Sequence, residues 1–102
     1  MAGNGLGRGG WVYIVTNAPH GVLYVGVTSD IARRAWEHRE GVVPGFTRRY
    51  GLGRLVLVQR YEEIAEAIWR ERRMKHWPRA WKVRVIEQGN PGWEDLYGGV
   101  MR

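Results

Sequence analysis

Two tyrosines, Tyr13 and Tyr24, stand in adjoining apolar runs, and Arg34, His38 and Glu71 follow them along the chain. Taken singly each has an ordinary reading: a packing residue for either tyrosine, a solvated helix face for Arg34 and His38, and an ion pair for Glu71. Only their combination suggests chemistry on an anionic group. A guanidinium forks onto phosphoryl oxygens. Imidazole moves protons near neutral pH, and a phenol orients or deprotonates water. A carboxylate holds a hard divalent ion. Spacing supports the grouping. Residues four apart share a helix face, so Arg34 and His38 are neighbours, while Arg33 points about 100° away. Further on, Ile64, Ile68, Glu71 and Lys75 recur at spacings of four, three and four. That stripe sets Glu71 in line with an apolar face, where a carboxylate is costly unless paired or metal-bound. Lys75 or Arg72 would serve as the pairing partner. Glu62, Glu63 and Glu66 need no such account, because negative charge suits a helix start.

The elements that must position these residues are legible from pattern. Trp11–Thr16 and Val22–Val27 are β-branched and aromatic, and the polar turn Asn17–Gly21 joins them as an antiparallel hairpin. Period two puts Tyr13 on the face opposite Val12 and Ile14, and Tyr24 on the face opposite Leu23 and Val25. Ser29 or Asp30 caps a helix running from Ile31 to Glu40 and stopping at Gly41. Residues 42–53, with Pro44 and several glycines, read as a loop holding the basic stretch Phe46-Thr-Arg-Arg-Tyr50. Leu55–Gln59 is a third strand whose unbroken apolar character predicts burial on both faces. A second helix spans Glu62–His76. Arg79–Gln88 reads as a further helix ended at Gly89, although Val83-Arg-Val85 also fits a strand. Asn90-Pro-Gly92 turns the chain, and Trp93–Tyr97 docks back on the domain. The expected class is α/β of the α+β kind. It has a small, mainly antiparallel three-stranded sheet, the N-terminal hairpin plus a third strand, flanked by helices. One domain covers residues 11–97, with residues 1–10 as a mobile glycine-rich leader and residues 98–102 as a C-terminal tail.

Composition narrows the partner. The 102 residues carry a formal charge of +6, and Lys75 and Lys82 are the only lysines among sixteen basic residues. So arginine-heavy a balance suits a polyanion, since Arg matches phosphate bidentately. The absence of cysteine excludes disulfides, thiol catalysis and cysteine-based zinc sites. His20 and His76 read as loop and helix-end residues. No apolar run approaches the roughly 20 residues of a membrane span, and the start of the chain lacks a signal-peptide apolar region. The expectation is a cytoplasmic protein without membrane contact.

In order along the chain, these blocks resemble the GIY-YIG nucleases. Val12-Tyr-Ile14 and Tyr24-Val-Gly26 look like the two halves of the signature. The stretch Gly26 to His38 resembles the capped helix with Arg and His that follows, and Glu71 falls on the later acidic motif. Gly45-Phe-Thr-Arg-Arg-Tyr-Gly51, Arg79-Ala-Trp-Lys82 and Asn90-Pro-Gly-Trp-Glu-Asp-Leu-Tyr97 are in the style of the small stand-alone bacterial members. Trp11-Val12 replaces the Gly-Ile of the first motif, and Val25 replaces the Ile of the second. The resemblance implies an endonuclease that hydrolyses phosphodiester bonds in nucleic acid, DNA favoured and RNA left open, with one Mg²⁺ or Mn²⁺ ion. By it, Glu71 holds the metal, Arg34 neutralises the phosphate, Tyr13 is the base or water-positioning group with Tyr24 as its partner, and His38 relays the proton. The reverse assignment of the tyrosines stays open. Gly26 either admits close approach of backbone or substrate, or eases the turn into the helix. Arg48, Arg49, Arg72, Arg73 and Lys75 are candidates for phosphate contacts, with Phe46 or Tyr50 for base stacking. A chain this short leaves targeting to the domain itself, to a second copy in a homodimer, or to a protein partner. Two other readings compete: a binding module of the same fold without catalysis, and a small helix-turn-helix regulator. The regulator fits poorly, because a glycine-rich loop and a strand follow the first helix.

Overall fold

A computed structural model describes residues 9–101; residues 1–8, which hold most of the expected leader, and residue 102 lie outside the described part. The elements in chain order are β1 (Gly10–Thr16), β2 (Leu23–Thr28), α1 (Ile31–Arg39), α2 (Phe46–Arg49), β3 (Arg54–Tyr61), α3 (Ile64–Lys75), α4 (Arg79–Gly89) and α5 (Tyr97–Val100). The strands form one antiparallel sheet in the order β2-β1-β3, so β1 is central and the chain crosses from one edge to the other after the hairpin.

Alternation along β1 divides the interior in two, as the pattern requires. Val12, Ile14 and Val25 pack with Ala67, Met74, Ile86 and Trp93, the layer made by α3, α4 and the segment after them. Tyr13 and Val15 face the other way, onto Ile31, Ala35 and Leu52, with Tyr24, Leu96, Tyr97 and Val100 partly buried beside them. In β3 both faces are buried for a further reason. The register slips between Ile14 and Val15, so Val56 is an extra residue, and Val56 and Leu57 both join the α3 side while Leu55 joins the other. Asn90, itself buried, donates to the Val56 carbonyl at 3.2 Å and satisfies a group that the bulge takes out of the ladder.

Several boundaries differ from the sequence expectation. Gly10 already belongs to β1, opposite Tyr61. A side chain there would meet Ile64 and come within 2.9 Å of the Ala67 Cβ, so glycine is what lets α3 lie this close to the strand. The expected loop at residues 42–53 contains α2, bracketed by Gly45 and Gly51 at φ values of 97° and 66°. Glycine reaches that region without the Cβ penalty. Val83-Arg-Val85 is helical, with Ile86 as the buried anchor of α4. The C-terminal tail is shorter than expected, because α5 extends to Val100 and packs against the Tyr13 layer. Trp93–Tyr97 does dock back: Leu96 donates to the Leu55 carbonyl at 2.7 Å, and Asp95 accepts from Leu55 at 3.2 Å. That segment covers the outer edge of β3, which would otherwise expose unpaired backbone groups. No helix among the described residues is long and apolar enough to cross a membrane.

Candidate active site

The site is built on the face of the sheet covered by α1. Tyr13 projects from the central strand, and its hydroxyl lies 2.8 Å from His38 Nε2. His38 comes from the last turn of α1, whose start is fixed by Asp30: its carboxylate accepts from Arg33 N at 3.1 Å. Eight residues after that cap, His38 therefore points at the sheet. Tyr24, one strand over, has its ring 6.0 Å from the His38 ring.

Gly26 makes this arrangement possible. It sits directly opposite Tyr13 across the hairpin, and the phenol ring lies over it. A Cβ at Gly26 would come within 2.8 Å of Tyr13 Cε2 and closer still to Cζ and the hydroxyl oxygen. The close approach expected there is thus made by the phenol of Tyr13.

Burial governs the protonation of the pair. It pushes the Tyr13 phenol well above its ordinary value, and neighbouring Tyr24, Glu71 and Glu37 push the same way while Arg34 opposes them. Charge–charge help from Arg34 does not make a phenolate of Tyr13. His38 moves downward, to about 4, through burial first and the Arg34 charge second, with Glu37 opposing. At neutral pH this is a neutral phenol bonded to a neutral imidazole. His38 Nδ1 is buried without a protein partner among the described residues.

Arg34 and Glu71 bring charge to the rim, each already paired. Arg34 Nε lies 3.3 Å from Glu37 Oε1, and Arg33 takes the other oxygen of Glu37 at 3.3 Å. Beside Arg34, a hollow of about 320 Å³ is lined by Thr28, Ser29, Asp30, Arg33, Arg34 and Glu37. Glu71 is buried on α3, and Lys75 Nζ sits 2.6 Å from its Oε2. That hydrogen bond raises the Lys75 pKa, with the Glu71 and Tyr24 charges adding to it. Lys75 is also 5.9 Å from the Tyr24 ring centroid. In the expected stripe Glu71 is buried, but its neighbours on the buried face are Ala67 and Met74.

The structure thus brings Tyr13, Tyr24, His38, Arg34, Glu71 and Gly26 into one neighbourhood. Of the two partners the sequence offered Glu71, the structure takes Lys75, which joins this site although it was also a candidate for phosphate contact. Arg48 and Arg49 are exposed on α2, whose Phe46 ring lies 6.4 Å from that of Tyr24 and 4.7 Å from that of Tyr50. Arg72 and Arg73 are exposed on the outer side of α3. One participant escaped the sequence reading: Glu37, signalled only by its three- and four-residue spacing from Arg34 and Arg33.

Among the described residues no three His, Cys, Asp or Glu side chains gather as a metal cluster. A lone carboxylate is still compatible with Mg²⁺, which keeps several waters and takes one or two carboxylates plus substrate phosphate.

An antiparallel sheet thus presents two tyrosines toward a helix-borne Arg and His, with a glutamate from a second helix nearby. Residues 9–84 match the GIY-YIG catalytic domain, and the chain belongs to the GIY-YIG family. Within it, the chain is similar to a UPF0213 protein of Staphylococcus aureus, 33% identical over 78 residues that make up 76% of this chain and 94% of the relative. A UPF0213 protein of Natronomonas pharaonis is 33% identical over 76 residues, 74% of this chain and 88% of the other. The solution NMR structure of a UPF0213 protein from Bacillus halodurans superposes with a TM-score of 0.54 at 30% identity, covering 86% of this chain and 93% of that one.

Proposed function

We propose that this protein is a metal-assisted endonuclease that hydrolyses phosphodiester bonds in nucleic acid, DNA in preference to RNA. The observation that carries this reading is the buried Tyr13–His38 hydrogen bond of 2.8 Å, set beside Arg34 and within the field of Glu71. A phenol held at high pKa is a poor base alone, yet it is a good relay. It can take a proton from an attacking water while passing its own to His38, so no free phenolate has to persist. The hold of His38 on that proton would strengthen once a bound phosphate offsets the Arg34 charge. Arg34, turning from Glu37 toward a phosphate in the adjoining hollow, would neutralise charge developing on the phosphoryl oxygens. Glu71 would hold the Mg²⁺ or Mn²⁺ ion once Lys75 swings aside to the phosphate. The ion, when bound, supplies Lewis-acid stabilisation of charge on the phosphate. Tyr24 would orient water or phosphate from the neighbouring strand.

A second reading, a binding module without catalysis, draws support from the existing pairing of Arg34 with Glu37 and of Glu71 with Lys75. One experiment separates the two. Labelled single-stranded, duplex and branched DNA, and RNA, are incubated with Mg²⁺, Mn²⁺ or EDTA, alongside Glu71→Ala and Tyr13→Phe. Metal-dependent cutting lost in both variants supports the nuclease. Salt-sensitive binding without cutting supports the module, and cutting that persists in both variants rejects the assigned residues.

A further inference from the structure

Around α3 the side chains next to Glu71 become basic and then aromatic. At about 100° per residue, Lys75 lies beside Glu71, Arg72 and His76 follow, and Trp69 and Arg73 complete the arc on the outer face. Trp77 and Trp81 carry it across into α4. Trp69, Arg72, Arg73, His76, Trp77 and Trp81 line an open groove of about 540 Å³. A second hollow of about 160 Å³ continues past Trp77 and Trp81 to Arg84 and Gln88. Trp69 is 62% exposed and Trp81 51%, and neither belongs to the buried clusters of the core. Large flat rings left in water over a contiguous surface mark an interaction site.

The chemistry of the groove selects its occupant. The Arg73 guanidinium sits 4.6 Å from the Trp69 ring centroid and that of Arg70 4.7 Å from Trp77, while Trp77 and Trp81 meet edge-on at 6.0 Å. None of the six lining residues is a carboxylate. Rings interleaved with uncompensated cations suit a partner with flat faces joined by negative charges. An apolar protein helix offers neither, and duplex DNA hides its base faces. We propose that this groove is a docking surface for single-stranded nucleic acid, with bases stacked on Trp69 and Trp81 and phosphates held by Arg72 and Arg73. That the bound strand leads along α3 toward Glu71 rests on the nuclease reading; the binding itself does not.

The test is anisotropy of labelled oligothymidylate and oligouridylate, and of a duplex, titrated with the protein in EDTA so that nothing is cut. Trp69→Leu and Trp81→Leu are each expected to weaken single-strand binding about tenfold. Trp36→Leu, at an exposed position on α1 outside the groove, changes nothing. Because the substituted groove residues are exposed, circular dichroism should show the variants folded. Arg72→Ala with Arg73→Ala should flatten the dependence of log affinity on log salt by about 1.4. The DNA and RNA arms identify the strand. Affinity unchanged when Trp69→Leu and Trp81→Leu are combined, equal binding of duplex and single strand, or a dimer in sedimentation that Trp69→Leu dissolves would each overturn the proposal. Trp-dependent binding by a protein that cuts nothing keeps the groove and rejects the nuclease. Cutting with Trp-independent binding does the reverse.

Discussion

Gly26→Ala is the sharpest perturbation of the site, because nothing about its own backbone resists the change. The positive-φ glycines among the described residues are Gly41, Gly45 and Gly51, so Gly26 adopts a conformation open to alanine. On that ground alone the substitution stabilises by about 0.4–1 kcal/mol through the unfolded state. The new methyl, however, enters the space of the Tyr13 ring, reaching within 2.8 Å of Cε2. Tyr13 is only 2% exposed and packed among α1 side chains, so it has no free space to move into. Overpacking costs about 1–3 kcal/mol. Displacing the ring also breaks the hydrogen bond to His38, about 0.5–1.5 kcal/mol. The net expectation is a loss of about 2 kcal/mol, a fall in Tm of about 8–16 °C for a domain of this size. Thermal and urea unfolding followed by circular dichroism measure it. A double-mutant cycle with Tyr13→Val gives the decisive comparison, since removal of the ring removes the clash. In the Tyr13→Val background, Gly26→Ala should be neutral or slightly stabilising. An equal cost in both backgrounds would refute the argument that Gly26 exists to accommodate the phenol.

His38 binds its proton less readily folded than unfolded, so the unfolded chain takes up more protons between pH 6.5 and about 4. Stability therefore falls as pH drops through that window and levels off below it, by about 3 kcal/mol in total. His38→Gln should flatten the dependence of the urea midpoint on pH, and an identical slope in variant and parent contradicts the assigned burial. Lys75→Met leaves the Glu71 carboxylate buried and unpaired, which destabilises the protein. Added Mg²⁺ should then raise the Tm of this variant more than that of the parent; equal shifts in a thermal melt argue against Glu71 as the metal ligand. Asp95→Ala removes an acceptor shared by Arg39 at 2.8 Å, Leu55 N at 3.2 Å and Tyr97 N at 3.0 Å. A loss of about 2 kcal/mol is expected, and urea unfolding that finds none removes Asp95 as the clamp on β3.

What the sequence determined by itself is local. Strand alternation put Tyr13 and Tyr24 on the face opposite Val12 and Leu23, because successive side chains in a strand have only two directions. The Asp30 cap and helical spacing fixed where Arg34 and His38 point. The ordered blocks from Val12 to Glu71 identified the family. Pattern did not reach what depends on distances between elements. That β1 is central, that Val56 bulges and is held by Asn90 from 34 residues away, and that Gly10 lies under α3 follow from how the layers pack. The same holds for the charges. Tyr13 and His38 are separated by 25 residues in sequence and 2.8 Å in space. Burial of that contact keeps the phenol protonated against the activating effect of Arg34, and together with the Arg34 charge it keeps the imidazole neutral. Proximity to a charge can be suggested by spacing along one helix. The exclusion of water that decides which form a group takes is a property of every element surrounding it, and only the assembled fold contains it.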